Sequence, residues 1–371
     1  MATSLPSLTR EQVAALFKKQ EEREAQERER IRQAMASSKV PVPEELAQAV
    51  IKLNSQYASA ILRHHAGYPL AERRDSYLIS LAIMEQCLQD LLVAIDVFES
   101  AVLSKESGYF RPGGEDQSGR TERRIQKELF ATANAAASLV DHGRRLHKVQ
   151  PIPGYDSKRV ECFGTDGLHE FVIGLRVILH HLHAVEPGWL IEGSSNATFV
   201  IGNDMLRRIV GSYSKGLTGL PAIQAYIEAS PEHVDLRKVF LDYRARMAAF
   251  NGWVKRQLEA ETFIALHDYD TLNKRKGIAD ERMFWKAMTG NWLLNWKVPP
   301  DPHVHLPKYL TQAQLDEVYK LPRNSKKQVD LVISYMDKGG AVDDALRADA
   351  YELFARSPPA QPERPRASDA D

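Results

Sequence analysis

Two cysteines among 371 residues, Cys87 and Cys162, are too few for a disulfide framework or a cysteine-rich zinc site. Net charge is absent as well: forty-nine basic residues balance forty-nine acidic ones. A chain without a global field must rely on a local basic patch for any contact with nucleic acid. The N-terminus has no apolar signal core, and no uninterrupted run approaches the ~18 apolar residues of a membrane span. These absences lead us to expect a cytoplasmic chain with no membrane partner. A Walker A loop, a dinucleotide-binding fingerprint and internal repeats are also missing, so no cofactor is expected.

What is present is an ordinary globular composition, 43% hydrophobic and 26% charged, in a length that suits two units. Residues 8–36 carry mixed charges with almost no apolar positions after Phe17, the pattern of an exposed helical arm stitched by local ion pairs. The Pro41-Val42-Pro43 linker closes the arm. An amphipathic helix is expected over 44–66 and a long apolar one from about Leu70 to Leu103. A loop follows over Gly108–Gly119, then a third helix from Thr121 to Lys148. After a β-rich stretch at Gly188–Gly202, which reads as a hairpin, helices are expected at Leu220–Ala229 and about 234–266. The Lys274-Arg275-Lys276 run reads as a solvated turn. A tryptophan-rich segment over 280–296 precedes a cluster of prolines and three short helices near 311–321, 325–337 and 341–356. The proline-rich tail from Ser357 has the composition of a disordered segment.

The chain is organised around Gly164 to His183. Leu168, Phe171, Val172, Leu175, Ile178, Leu179 and Leu182 recur at the spacing of one helical face, and Ile173 and Val177 lie on the other side. Asp166 is placed to cap the helix start. Apolar surface on two sides describes a helix sandwiched in a bundle or against a second subunit. Into it the sequence puts Arg176 and four histidines, His169, His180, His181 and His183. Such groups are costly to bury without partners. Arg176, His180 and His183 share a stripe, and the last two could hold a metal with His303 or His305. With no carboxylate at a metal-ligand spacing, no metal is expected. Arg144, Arg145, His147 and Lys148 end the preceding helix; they complement its dipole or form a phosphate contact.

The run Phe171-Val172-Ile173-Gly174-Leu175-Arg176-Val177-Ile178-Leu179-His180-His181 resembles the signature helix of the HEPN superfamily, an Arg followed four to six residues later by a His. The segment ending Asp141-His142-Gly143-Arg144-Arg145 and the later helix from Leu236 to Trp253 also resemble bacterial members. The similarity covers about residues 45–265 and departs at Val177, where an Asn is common. It implies an all-α, HEPN-like helical bundle over 44–275, with the short β-hairpin after the motif helix. The arm and linker then occupy 1–43, a small helical C-terminal region 276–356, and the tail 357–371.

The implied activity is metal-independent cleavage of RNA, as in a toxin or phage-defence effector with a neutralising partner protein. The RNA's own 2′-OH attacks the adjacent phosphate, His181 transfers a proton and Arg176 stabilises the developing charge. His180, Arg144 and Arg145 are the candidate substrate contacts. Residues five apart point about 140° apart on an ideal helix, so one helix cannot aim Arg176 and His181 at one phosphate, whereas two helices facing across a homodimer can. The alternative is a non-catalytic helical dimerisation or interaction module in which this helix only packs.

Overall fold

Helix-forming residues at three- and four-residue intervals build most of the structure, a computed structural model. It describes residues 44–51, 55–104, 107, 109, 115–179, 188–192, 196–212, 219–230, 232–260 and 263–358, with scattered helical positions between Glu11 and Gln33. Two compact units are formed, one from Pro69–Leu266 and one from Met1–Tyr68 with His267–Asp371.

The first of these holds the motif helix. Its spine is α3 (Tyr68–Leu103), which follows α1 (Glu44–Ile51) and α2 (Ser55–Arg63) of the other unit. Tyr77, Leu81, Met84, Leu88, Leu91, Ile95 and Phe98 are all buried on α3, at alternating steps of four and three that keep them on one seam. Opposite that seam Ile79, Ile83 and Val97 are exposed. Apolar residues on both sides give α3 an 18-residue window of mean hydropathy 1.7, long and apolar enough by composition to cross a membrane, with 44% of the window buried inside the protein. Counting uninterrupted apolar runs passes over this helix, because polar residues recur within it.

The chain returns as α4 (Glu115–Val149), antiparallel to α3. The cross-contacts fix the register: Thr132 Oγ1 donates to the Cys87 carbonyl at 3.1 Å, and Ser80 Oγ meets His142 Nδ1. Small residues at Ala133, Ala136 and Ala137 are buried, and α6 (Leu168–Leu179), the motif helix, approaches α4 closely. Between them lies α5 (Tyr155–Phe163), and α6 also packs on α8 (Leu220–Ala229) and α9 (Leu236–Leu258). A three-stranded antiparallel sheet, β1 (Gly188–Glu192), β2 (Asn196–Gly202) and β3 (His233–Asp235), pairs Trp189 with Phe199 and Ile201 with Val234. Asp235 caps α9 by accepting the Lys238 N–H at 3.1 Å. Arg237 in the first turn of α9 bonds Glu99 at 3.1 Å and pairs with Asp96, tying α9 to α3.

In the second unit, Tyr269 on α10 (Ile264–Asn295) packs against the rings of His65 and Tyr68. A further core gathers Leu306, Leu315, Val318, Val329, Val332 and Phe354 among α11 (Gln312–Tyr319), α12 (Lys326–Met336) and α13 (Asp344–Arg356). Thr311 and Gln314 close a capping box at the start of α11.

The protein is therefore mostly helical, and the hairpin is present, joined by a third strand. Several boundaries differ from the sequence reading. The 44–66 segment forms two helices. Glu115–Gly119, read as loop, already belongs to α4. His233–Asp235, read as the start of a helix, pairs with β2 instead because Val234 is buried between exposed and half-buried neighbours. Lys274–Lys276 lies inside α10 rather than in a turn; Lys274 is exposed, whereas Arg275 and Lys276 are half-buried and Lys276 pairs with Asp280 at 2.6 Å. Three helices had no expected counterpart: α5 and α7 (Asn203–Ser212), both too short to show a long apolar period, and α10, whose apolar residues gather on no single face. The tail beyond Pro358 lies outside the described residues.

Candidate functional site

The start of α6 is fixed before its chemistry begins. Asp166 accepts the Leu168 N–H at 3.2 Å, the capping role its position suggested. Arg246 of α9 holds that carboxylate through two nitrogens at 2.9 and 2.6 Å, reaches Asp242 at 2.8 Å and donates to the Phe163 carbonyl at 2.5 Å. This network keeps the Asp166 carboxyl below the usual carboxylate range, chiefly through the hydrogen bond from Arg246. Gly167 follows with φ +80°, and a Cβ there would lie 2.3 Å from the Ala222 carbonyl oxygen. Only glycine satisfies both the backbone conformation and the clearance.

In the first turn of α6, His169 enters a cavity of about 90 Å³ bounded by α3, α4, α5 and α9. Phe163 packs on its ring at 4.4 Å, and Tyr243 stacks on it at 6.1 Å. Nδ1 of His169 is buried and has no hydrogen-bond partner among the described residues. Burial, followed by the nearby charges of Arg159 and Arg144, pushes the imidazole pKa down to about 4, so the ring is neutral at pH 7.

The rest of the wall is built from α4 and α5. Gly143 sits inside α4, and a Cβ there would lie 2.9 Å from the Tyr155 hydroxyl oxygen and 3.5 Å from the Tyr77 ring. The absence of a side chain lets both phenols meet the helix, at the usual cost of about 1 kcal/mol for glycine within a helix. His147 stacks on Tyr155 at 4.4 Å and accepts the Ile152 N–H on Nδ1 at 2.9 Å. Its place is thus structural. On the far wall, Tyr77 donates to Asn251 Oδ1, and Asn251 Nδ2 donates to the Met247 carbonyl at 2.8 Å. Burial raises the pKa values of Tyr77, Tyr155 and Tyr243, so all three hydroxyls keep their protons.

The sequence-nominated residues fall in different places. Arg144 lines the cavity, and Arg145, its neighbour on α4, is exposed. Arg176 is exposed near the end of α6 with no hydrogen bond or ion pair to any described residue. Seven residues separate it from His169, which places both on one stripe of the helix roughly 10 Å apart along the axis. Arg144 therefore stands at the opposite end of α6 from Arg176. His180, His181 and His183 lie outside the described residues. His303 is buried in the other unit, where Nε2 meets Asn324 Oδ1 at 3.0 Å.

The sequence signals passed over Tyr77, Tyr155, Arg159 and Asn251. Tyr77, the Tyr155–Arg159 pair and Asn251 lie on α3, α5 and α9, tens of residues apart, and only the packing of these helices brings them together. Gly143 inside a helical pattern was the one local sign that a backbone is closely approached there. Comparison with family models, curated proteins and solved structures gave no match.

Proposed function

We propose that the protein is a metal-independent HEPN-type endoribonuclease working as a homodimer, a cytoplasmic toxin or phage-defence effector held in check by a partner protein. The observation that carries this reading is the surroundings of Arg176. Eight of the twelve residues of α6 are buried, yet Arg176 is exposed between the half-buried Ile173 and Val177. A guanidinium with no partner among the described residues, on a narrow aliphatic stripe, fits a face that closes against a second copy and keeps its charge for a phosphate.

In this reading the substrate supplies the nucleophile. The 2′-OH attacks the adjacent phosphorus, Arg176 takes up the charge on the non-bridging oxygens, and the P–O5′ bond breaks. His181 moves the proton between the hydroxyl and the leaving 5′-oxygen. His180 and the exposed Arg145 contact the RNA backbone. Arg144, being in the cavity wall, contributes there less directly.

Purified protein incubated with a mixed RNA pool should leave 2′,3′-cyclic phosphate or 3′-phosphate ends, with chelators making no difference. Arg176→Ala and His181→Ala should each lower cleavage by two orders of magnitude or more while circular dichroism stays unchanged. Full cleavage by both variants, or none by the parent, removes the proposal.

The same stripe supports a second reading, a helical module that dimerises without catalysis, and Val177 beside Arg176 favours it. That reading expects Val177→Glu and Ile173→Glu to shift sedimentation from dimer to monomer while no RNA is cut by any form.

A further inference from the structure

The cavity at the start of α6 has polar groups that its own hydrogen bonds leave unused. The Tyr77–Asn251–Met247 chain is closed within itself. The Tyr155 hydroxyl has no partner among the described residues, and neither has Arg144; Arg159 has only a loose contact with Asp156 at 3.8 Å. Two guanidiniums against one carboxylate leave a single net positive charge around the opening, since His169 is neutral. Below it lies a floor of Phe163, Met247 and Phe250, each 6% exposed or less. A site with one surplus positive charge, donors in fork geometry and an apolar floor fits one singly charged, planar oxyanion with a hydrocarbon end. A phosphate monoester brings nearly two charges, which does not match the balance of charge at the opening.

The volume narrows the class further. An apolar cavity of ~150 Å³ holds the six carbons of benzene, so about 90 Å³ takes an alkyl end of about three carbons, with the charged group left at the mouth beside the two arginines. We propose that this cavity binds a short-chain aliphatic monocarboxylate of about four carbons, its carboxylate on Arg144, Arg159 and the Tyr155 hydroxyl and its alkyl end on Phe163, Met247 and Phe250. The inference does not rest on ribonuclease activity, because Arg176 and His181 take no part in it.

Isobutyrate titrated into the full chain in a calorimeter tests it, with inorganic phosphate and adenosine monophosphate as parallel ligands. Isobutyrate should bind and saturate, whereas the two phosphates should bind at least tenfold more weakly. Arg144→Gln and Arg159→Gln, both at the cavity mouth and outside the core, should each weaken isobutyrate by about tenfold or more. The His169 ring resonances should move on saturation, because the carboxylate adds a negative charge beside the imidazole. No isobutyrate binding at about 10 mM overturns the proposal. So does tighter binding of either phosphate, or isobutyrate affinity unchanged in both arginine variants.

Discussion

Two histidines, each 6% exposed and each with an Nδ1 that has no partner among the described residues, occupy the two units of this protein with opposite consequences. His303 gives Nε2 to Asn324 at 3.0 Å and lies between the rings of Tyr319 and Phe354. Its burial lowers its pKa, and the Asn324 hydrogen bond opposes the shift. His169 has no such tether. It faces a cavity, and two guanidiniums add to the effect of burial. Burial alone therefore does not distinguish a packed histidine from one at a site. The distinguishing features are unfilled space and more cations than nearby carboxylates to balance them.

The harshest way to break the comparison is to disturb the helix that carries only one of the two residues. Gly167→Ala combines a left-handed backbone with a Cβ 2.3 Å from a carbonyl oxygen, so a loss of about 3 kcal/mol or more is expected. Chemical denaturation should report it. The titration of His303 should stay where it was, since its partners belong to its own unit.

Acid provides the next test. His169 is held near 4 against an ordinary 6.5, so the unfolded chain takes up this proton more readily. The stability this group contributes is fully present above about pH 6.5 and is lost as the pH falls toward 4, on the order of 3 kcal/mol across that window. His169→Leu should flatten the dependence measured by urea unfolding between about pH 7 and pH 5. His303→Leu should flatten it less, because its hydrogen bond favours the charged form.

Arg246→Ala should cost about 2 kcal/mol in thermal unfolding, since two carboxylates and the Phe163 carbonyl lose a charged donor together. Lysine at this position should restore little, having no fork to span both carboxylates. Gly143→Ala should change stability least, within about 1 kcal/mol, as the gain in helix propensity offsets the displaced Tyr155. Its effect should appear instead as lost isobutyrate binding.

Much of the helical order was legible in the sequence wherever a period ran long enough. The seam of α3 from Tyr77 to Phe98 and the apolar face of α6 both follow from spacing. So does the cap at Asp166, from residue type and position. The candidate site was legible only in fragments. Arg176 stood out because charge is rare in an apolar segment, and Arg144 because it opens the basic run that ends its helix. Nothing local could join Arg144 to Tyr155, Asn251 and His169, since that depends on the α3–α4 register and on a nine-residue helix without a long period. His233–Asp235 was misread for a related reason. Three residues carry no period, and only β2 beside them makes them a strand.

The contact of Gly167 with Ala222 has one more consequence. Residue 222 takes part through its carbonyl oxygen, an atom common to all amino acids, whereas residue 167 takes part by having no side chain. A single crossing of two backbones thus constrains one partner's identity completely and leaves the other's free. In a library randomised at both positions and selected for folding, position 167 should return glycine, while any limit at position 222 should come from its other neighbours.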